Sequence, residues 1–66
     1  MSSSADLASV HSSLEQLMNR VSGAVDEFTG TMDEDVSIGL MEVERSLRTA
    51  NRRLERIVKE LRSRER

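Results

Sequence analysis

Apolar side chains recur along this chain at alternating intervals of three and four residues, in two separate segments. The first segment runs from Leu7 to Phe28 and the second from Val36 to Leu61. Such spacing aligns side chains along one stripe of an α-helix, whereas a strand would need alternation by two. The repeats are Leu7, Val10, Leu14, Leu17, Val21, Ala24 and Phe28, then Val36, Leu40, Val43, Leu47, Ala50, Leu54, Ile57 and Leu61. The pattern predicts two amphipathic helices.

The residues between the repeats, FTGTMDED, carry signals for the end of one helix and the start of another. Gly30 can adopt the left-handed conformation that ends a helix, and Thr31 with Glu34 has the spacing of a capping box. A serine among residues 2–4 is expected to cap the first helix. Gly39, a weak helix former, leaves open whether the second helix starts before or after it. The predicted elements are helix 1 over residues 4–29, a turn over residues 30–32 and helix 2 over residues 33–63.

A connection this short favours antiparallel packing of the two helices. The predicted fold class is therefore all-α: residues 1–66 form a single antiparallel two-helix hairpin, a helical coiled coil that assembles as a dimer into a four-helix bundle. A dimer is expected because 66 residues without a cysteine bury too little surface to be stable alone. The apolar stripe is also wider than a two-helix contact needs. Its flanking members are Met18, Val25, Met41 and Val58.

The three- and four-residue spacings in the second repeat assign a heptad position to each of its members. Leucines occupy position a (Leu40, Leu47, Leu54 and Leu61), and smaller or branched residues occupy position d (Val36, Val43, Ala50 and Ile57). We predict that positions a and d of both helices pack together inside the hairpin, with Leu17 opposite Leu47. The predicted core and oligomer residues are Leu7, Val10, Leu14, Leu17, Val21, Phe28, Leu40, Val43, Leu47, Leu54, Ile57 and Leu61.

Few residues suggest chemistry. His11, the sole histidine, falls at a flanking e position without a cysteine or second histidine near it, so we interpret it as an edge-of-core residue. Residues 33–44 share part of the acidic spacing of an EF-hand calcium loop, but Gly39 stands one place too late and the apolar repeat continues through the segment. The serines have no local base or nucleophile motif. We therefore predict a non-enzymatic protein with no catalytic residue, metal or cofactor.

Charge is distributed unevenly along the chain. Residues 1–44 hold nine acids and one arginine, whereas residues 45–66 hold nine basic residues and three acids. Folding is expected to gather the basic residues on the outer face of helix 2, where they could contact phosphates or an acidic partner. A solvated helix face is the alternative interpretation. The candidate basic face comprises Arg45, Arg48, Arg52, Arg56, Lys59 and Arg62, and Arg66 continues it.

The overall prediction is a self-associating helical hairpin that acts as a protein–protein interaction or scaffold module. We expect a homo-oligomer, a dimer of hairpins, that also binds another protein. Residues 1–13 lack the features of a signal peptide and no apolar run could span a membrane, so we expect a cytoplasmic protein without a membrane partner. The alternative is a small nucleic-acid-associated regulatory accessory protein that uses the arginine-rich face of helix 2. A DNA-reading leucine zipper is disfavoured because the segment before Leu40 is acidic.

Overall fold

The structure is a computed structural model that describes residues 3–65, so Ser2 and Arg66 lie outside the described residues. It contains two α-helices, α1 over Ser4–Phe28 and α2 over Glu34–Arg64. Hydrogen bonds join them at both ends. Ser4 Oγ donates to Glu65 Oε2 at 2.6 Å, and Thr29 Oγ1 lies 2.8 Å from Ser37 Oγ. The helices are therefore antiparallel, which confirms the predicted all-α helical hairpin.

Both ends of α1 agree with the serine cap and the glycine helix end predicted from the sequence. Ser3 Oγ accepts from the Asp6 backbone N–H, and the Asp6 carboxylate accepts from the Ser3 N–H, both at 3.3 Å. This capping box satisfies two N–H groups that have no partner inside the helix, and it confirms the predicted serine cap. Gly30 has a φ of 78°, the left-handed conformation predicted for it.

The start of α2 differs from the prediction, and the proposed capping box of Thr31 and Glu34 is wrong. Asp33 is the N-cap residue, and no side chain caps this helix. Thr31 Oγ1 instead donates to the Phe28 carbonyl at 2.6 Å and accepts from the Asp33 N–H at 3.1 Å. Its hydroxyl is thus used to close the turn. The helix then continues through Gly39, so α2 begins before the glycine, and the residues compared with a calcium loop are helical from Glu34 onward.

The contact surface between α1 and α2, called the seam below, is formed by heptad positions a and e. Among the e side chains, those of Ser4, Ser37, Asn51 and Val58 are buried. The prediction that position d joins position a in the seam is wrong, because the large d side chains are 41 to 52% exposed. These exposed residues are Val10, Leu17, Val36, Val43 and Ile57. Each helix has one neighbour only, so a stripe that covers positions a, d and e is too wide to be buried.

The hairpin is a thin rod with a large surface for its mass. It measures 54 × 15 × 15 Å, and its radius of gyration is 15.3 Å, against about 11 Å for a compact chain of this length. Its accessible surface is 5223 Å², whereas a compact monomer of 7.5 kDa exposes roughly 4,200 Å². Within residues 3–65, Val58 is the only apolar side chain that is buried. The single hairpin therefore has almost no apolar core of its own.

Candidate functional site

Because positions a and e form the seam, the hairpin has two long sides that differ in composition. Because the helices are antiparallel, the d positions of both lie on one side and the b positions on the other. We call the first of these the apolar side and the second the polar side. The apolar side consists of Val10, Leu17 and Ala24 from α1 with Val36, Val43, Ala50 and Ile57 from α2.

A shallow open groove runs between the helices on the apolar side. It is lined by Leu17, Arg20, Val21, Ala24, Leu40 and Leu47. Its lining combines the d residues Leu17 and Ala24 of α1 with the half-buried a residues Val21, Leu40 and Leu47. The predicted core residues at position a thus lie partly in the seam and partly in this groove. Those at position d, which are Val10, Leu17, Val43 and Ile57, line the apolar side, and their role in an oligomer stays a prediction.

The polar side is held by hydrogen bonds that cross the seam. Ser22 Oγ donates to Glu44 Oε2 at 2.6 Å, and Arg48 Nη2 donates to Glu44 Oε1 at 2.8 Å. The hydrogen bond from Ser22, followed by the interaction with Arg48, lowers the pKa of Glu44 below its ordinary value of 4.5. Glu44 is therefore a charged carboxylate that ties α2 to α1 on this side. The predicted helical pair of Glu44 with Arg48 is confirmed.

A second carboxylate closes the open end of the hairpin. Glu65 accepts from the Ser4 hydroxyl at 2.6 Å and from the Ser4 backbone N–H at 2.8 Å. These two bonds, aided by the charge of Arg62, lower the pKa of Glu65 below 4.5. The backbone N–H of Ser4 belongs to the first turn of α1, where the helix dipole favours a negative charge. Glu65, the residue that follows α2, thus acts as an additional cap for α1.

His11 lies on the polar side between two carboxylates of its own chain. Its Nδ1 atom is 3.1 Å from Glu15 Oε1, and its Nε2 atom is 3.8 Å from Glu55 Oε2. Glu55 also pairs with Lys59 at 3.4 Å, as predicted. Neither partner was predicted: Glu15, four residues further along α1, was a local signal, whereas Glu55 reaches His11 only across the seam. Its half-buried position agrees with the interpretation as an edge-of-core residue.

Asn51 is the least expected residue of the seam. Its side chain is 7% exposed, and its Oδ1 atom has no hydrogen-bond partner. With Ser37 and Glu44 it forms a polar row at intervals of seven residues, one place along the helix wheel from the a leucines. This polar row was not predicted, although its seven-residue spacing is visible in the sequence. The seam is therefore partly polar, whereas the side that faces outward at position d is apolar.

The predicted basic face lies on the outer surface of α2, and all six of its residues are exposed. Arg48 and Lys59 are paired with glutamates of the same helix. Within residues 3–65, the other four have no carboxylate within 4.0 Å. They are Arg45, Arg52, Arg56 and Arg62. This face therefore presents guanidinium groups that are available to a partner.

Two further observations concern possible ligands and surroundings. Among the described residues, no three acidic, histidine or cysteine side chains are grouped closely enough to hold a metal ion. Neither helix, over its described length, combines the apolarity and the low charge needed to cross a membrane. Comparison with known proteins shows that no family model, no curated protein and no solved structure matches this chain.

Proposed function

We propose that this protein is a non-enzymatic interaction module whose hairpins self-associate through the apolar side. The observation that carries the proposal is the exposure of the d side chains along the full length of the rod. Soluble monomers rarely expose a continuous apolar patch larger than about 300 to 600 Å². The whole long side that carries the d residues, with its polar residues included, measures 54 by 15 Å or about 800 Å², one partner's share of a standard protein interface.

The energetics of the hairpin support the same proposal. The seam leaves the a leucines half-buried and places polar groups at its centre, so one hairpin gains little from apolar burial. Burying the rest of a large aliphatic side chain stabilises by about 1 kcal/mol, and each copy offers five such d side chains. Covering the apolar side is therefore the largest stabilisation still available to this chain. The expected product is a dimer of hairpins, a four-helix bundle.

In such a bundle the outer face of α2 would stay accessible to another protein. Its guanidinium groups suit carboxylates, which they can bind with two parallel hydrogen bonds. The proposed role is accordingly a scaffold or adaptor: one side of the hairpin holds the copies together, and the outer face of α2 binds a protein with an acidic surface.

A matched pair of charge substitutions tests the role of the apolar side. Leu17→Asp places a carboxylate in the middle of that side, whereas Gln16→Asp places one on the exposed back of the same helix. We expect light scattering to give twice the 7.5 kDa chain mass for the natural chain and for Gln16→Asp, and a lower mass for Leu17→Asp. If Leu17→Asp keeps the mass and helicity of Gln16→Asp, the proposal is wrong.

The second candidate function is nucleic-acid association through the basic face, favoured by the four arginines that have no carboxylate partner among residues 3–65. The absence of tyrosine and tryptophan disfavours base stacking, and the net charge of −2 disfavours a duplex. We expect gel-shift titration with duplex DNA to show no binding tighter than about 10 µM at physiological salt. Tighter binding that weakens steeply with salt, and that Arg52→Glu reduces, would favour this candidate instead.

A further inference from the structure

We propose that a second copy of this chain docks on the apolar side head to tail, so that the loop of each hairpin lies beside the open end of the other. This inference rests on the proposed self-association and adds the orientation of the partner. The tip is defined here as residues 26–35, and the open end as residues 3–10 with 56–65. Only two face-to-face arrangements cover the whole apolar side, one with the tips together and one with the tips apart.

Charge at the two ends distinguishes these arrangements. The tip contains five carboxylates and no basic residue, and none of the five forms an ion pair within the described residues. The open end contains four basic residues and three acids. Tips placed together would hold five carboxylates from each copy with no cation among them. Tips placed apart would instead each lie near the partner's open end, where four basic residues against three acids give a net charge of +1.

The charge effect is modest in energy, because exposed pairs contribute about 0 to 1 kcal/mol each and are screened by salt. Complementary charge sets orientation more than it sets affinity. The distribution of side-chain bulk provides an independent argument.

Contacts across the seam show which residues of α1 and α2 lie at the same height along the rod. His11 meets Glu55, and Ser22 meets Glu44. The d residues lie one or two positions along the chain from these contact residues. The contacts therefore show which d residue of α1 lies at the same height as which d residue of α2. Six of the seven d residues form three levels: Val10 with Ile57 toward the open end, Leu17 with Ala50 near the middle, and Ala24 with Val43 toward the tip. Val36 lies beyond them at the tip, without a d residue of α1 at its height. Among the three paired levels, the one toward the open end is therefore the bulkiest and the one toward the tip is the smallest.

This gradient of bulk favours the head-to-tail arrangement. With the tips together, the two bulky levels would meet and the two small levels would meet, which crowds one part of the interface and leaves gaps in another. With the tips apart, Val10 and Ile57 of one copy face Ala24 and Val43 of the other, and the middle levels face each other. Every layer then has a similar volume, as close-packed interiors require.

Cysteine crosslinking tests the orientation, since the chain contains no cysteine of its own. Met32→Cys marks the tip, where the Met32 side chain is 100% exposed, and Ser63→Cys marks the open end. Each single variant is refolded alone, and the two are also refolded as an equal mixture, before treatment with a short bis-maleimide. The mass of each sample is first measured by light scattering. The two marked positions lie at opposite ends of a 54 Å rod, so one chain cannot crosslink to itself.

The head-to-tail arrangement predicts crosslinked dimers in the mixture and almost none in either single variant. A dimer by mass that crosslinks efficiently with Met32→Cys alone would overturn the orientation while leaving self-association intact. A dimer by mass that crosslinks in none of the samples would also overturn it, because tip and open end must then be apart. Variants that are monomeric by mass, like the natural chain, would instead refute the proposed function on which the inference rests.

Discussion

Asn51 shows at the scale of one residue that the seam of this hairpin is not optimised for stability. An asparagine buried with an unsatisfied oxygen costs roughly 1 to 3 kcal/mol relative to a satisfied or apolar alternative. Asn51 lies between half-buried Glu44 and buried Val58 in the e row, and within residues 3–65 its oxygen accepts no hydrogen bond there. This position therefore weakens the seam.

Replacing Asn51 with leucine should therefore stabilise the protein. Thr49→Leu is the matched control, because asparagine and threonine have similar helix propensities and Thr49 is exposed on the outer face of α2. The excess effect of Asn51→Leu then measures the buried amide. We expect thermal melts followed by circular dichroism to give a midpoint roughly 4 to 8 °C higher than that of the control, which corresponds to about 1 kcal/mol. Equal midpoints would show that the amide costs nothing.

At the scale of the elements, the apolar repeat was sufficient to predict two helices and their antiparallel pairing, and Ser3 and Gly30 supplied the helix ends. The repeat could not predict which positions form the seam. In the middle of α1, positions a, d and e are all apolar, as Leu14, Leu17 and Met18 show, so the pattern there favours no single pair of positions. The outcome depends on hydrogen bonds between residues far apart in sequence.

The candidate surfaces were predictable to different degrees for the same reason. The d residues were identified as interface or core residues from their spacing, and the basic face from its charge. The partners on the polar side, such as Ser22 for Glu44, could not be identified before the register of the two helices was known. Thr31 was misassigned because a threonine hydroxyl near a helix end can either cap the next helix or close the turn. The sequence shows only that Thr31 is near a helix end.

The bond between Ser22 and Glu44 makes the contact between the elements sensitive to pH. Because the pKa of Glu44 is lowered in the folded state, its contribution to stability is fully present above the ordinary value of 4.5 and is lost as the pH falls through the lowered value. We expect Ser22→Ala to melt below the control Ser9→Ala at neutral pH. The difference should shrink as the pH falls below 4.5 and Glu44 takes up a proton. A difference that stays constant over this range would contradict the assignment.

At the scale of the whole molecule, the hairpin is a rod with one apolar side, one polar side and a basic outer face on α2. The polar side is satisfied by its own hydrogen bonds, so it has little need of a partner. The apolar side has no such internal partner. Self-association through the apolar side would leave the basic face on the outside of the assembly, where the residues that lack a carboxylate partner are accessible.

The most direct test of self-association is to measure the mass and the helicity of the natural chain as it is diluted. Sedimentation equilibrium gives the mass, and circular dichroism on the same samples gives the helicity. Self-association through the apolar side predicts a helical species of twice 7.5 kDa whose mass and helicity fall together as the concentration is lowered, because each hairpin depends on the cover that its partner provides. A helical species of 7.5 kDa that melts cooperatively and independently of concentration would contradict it.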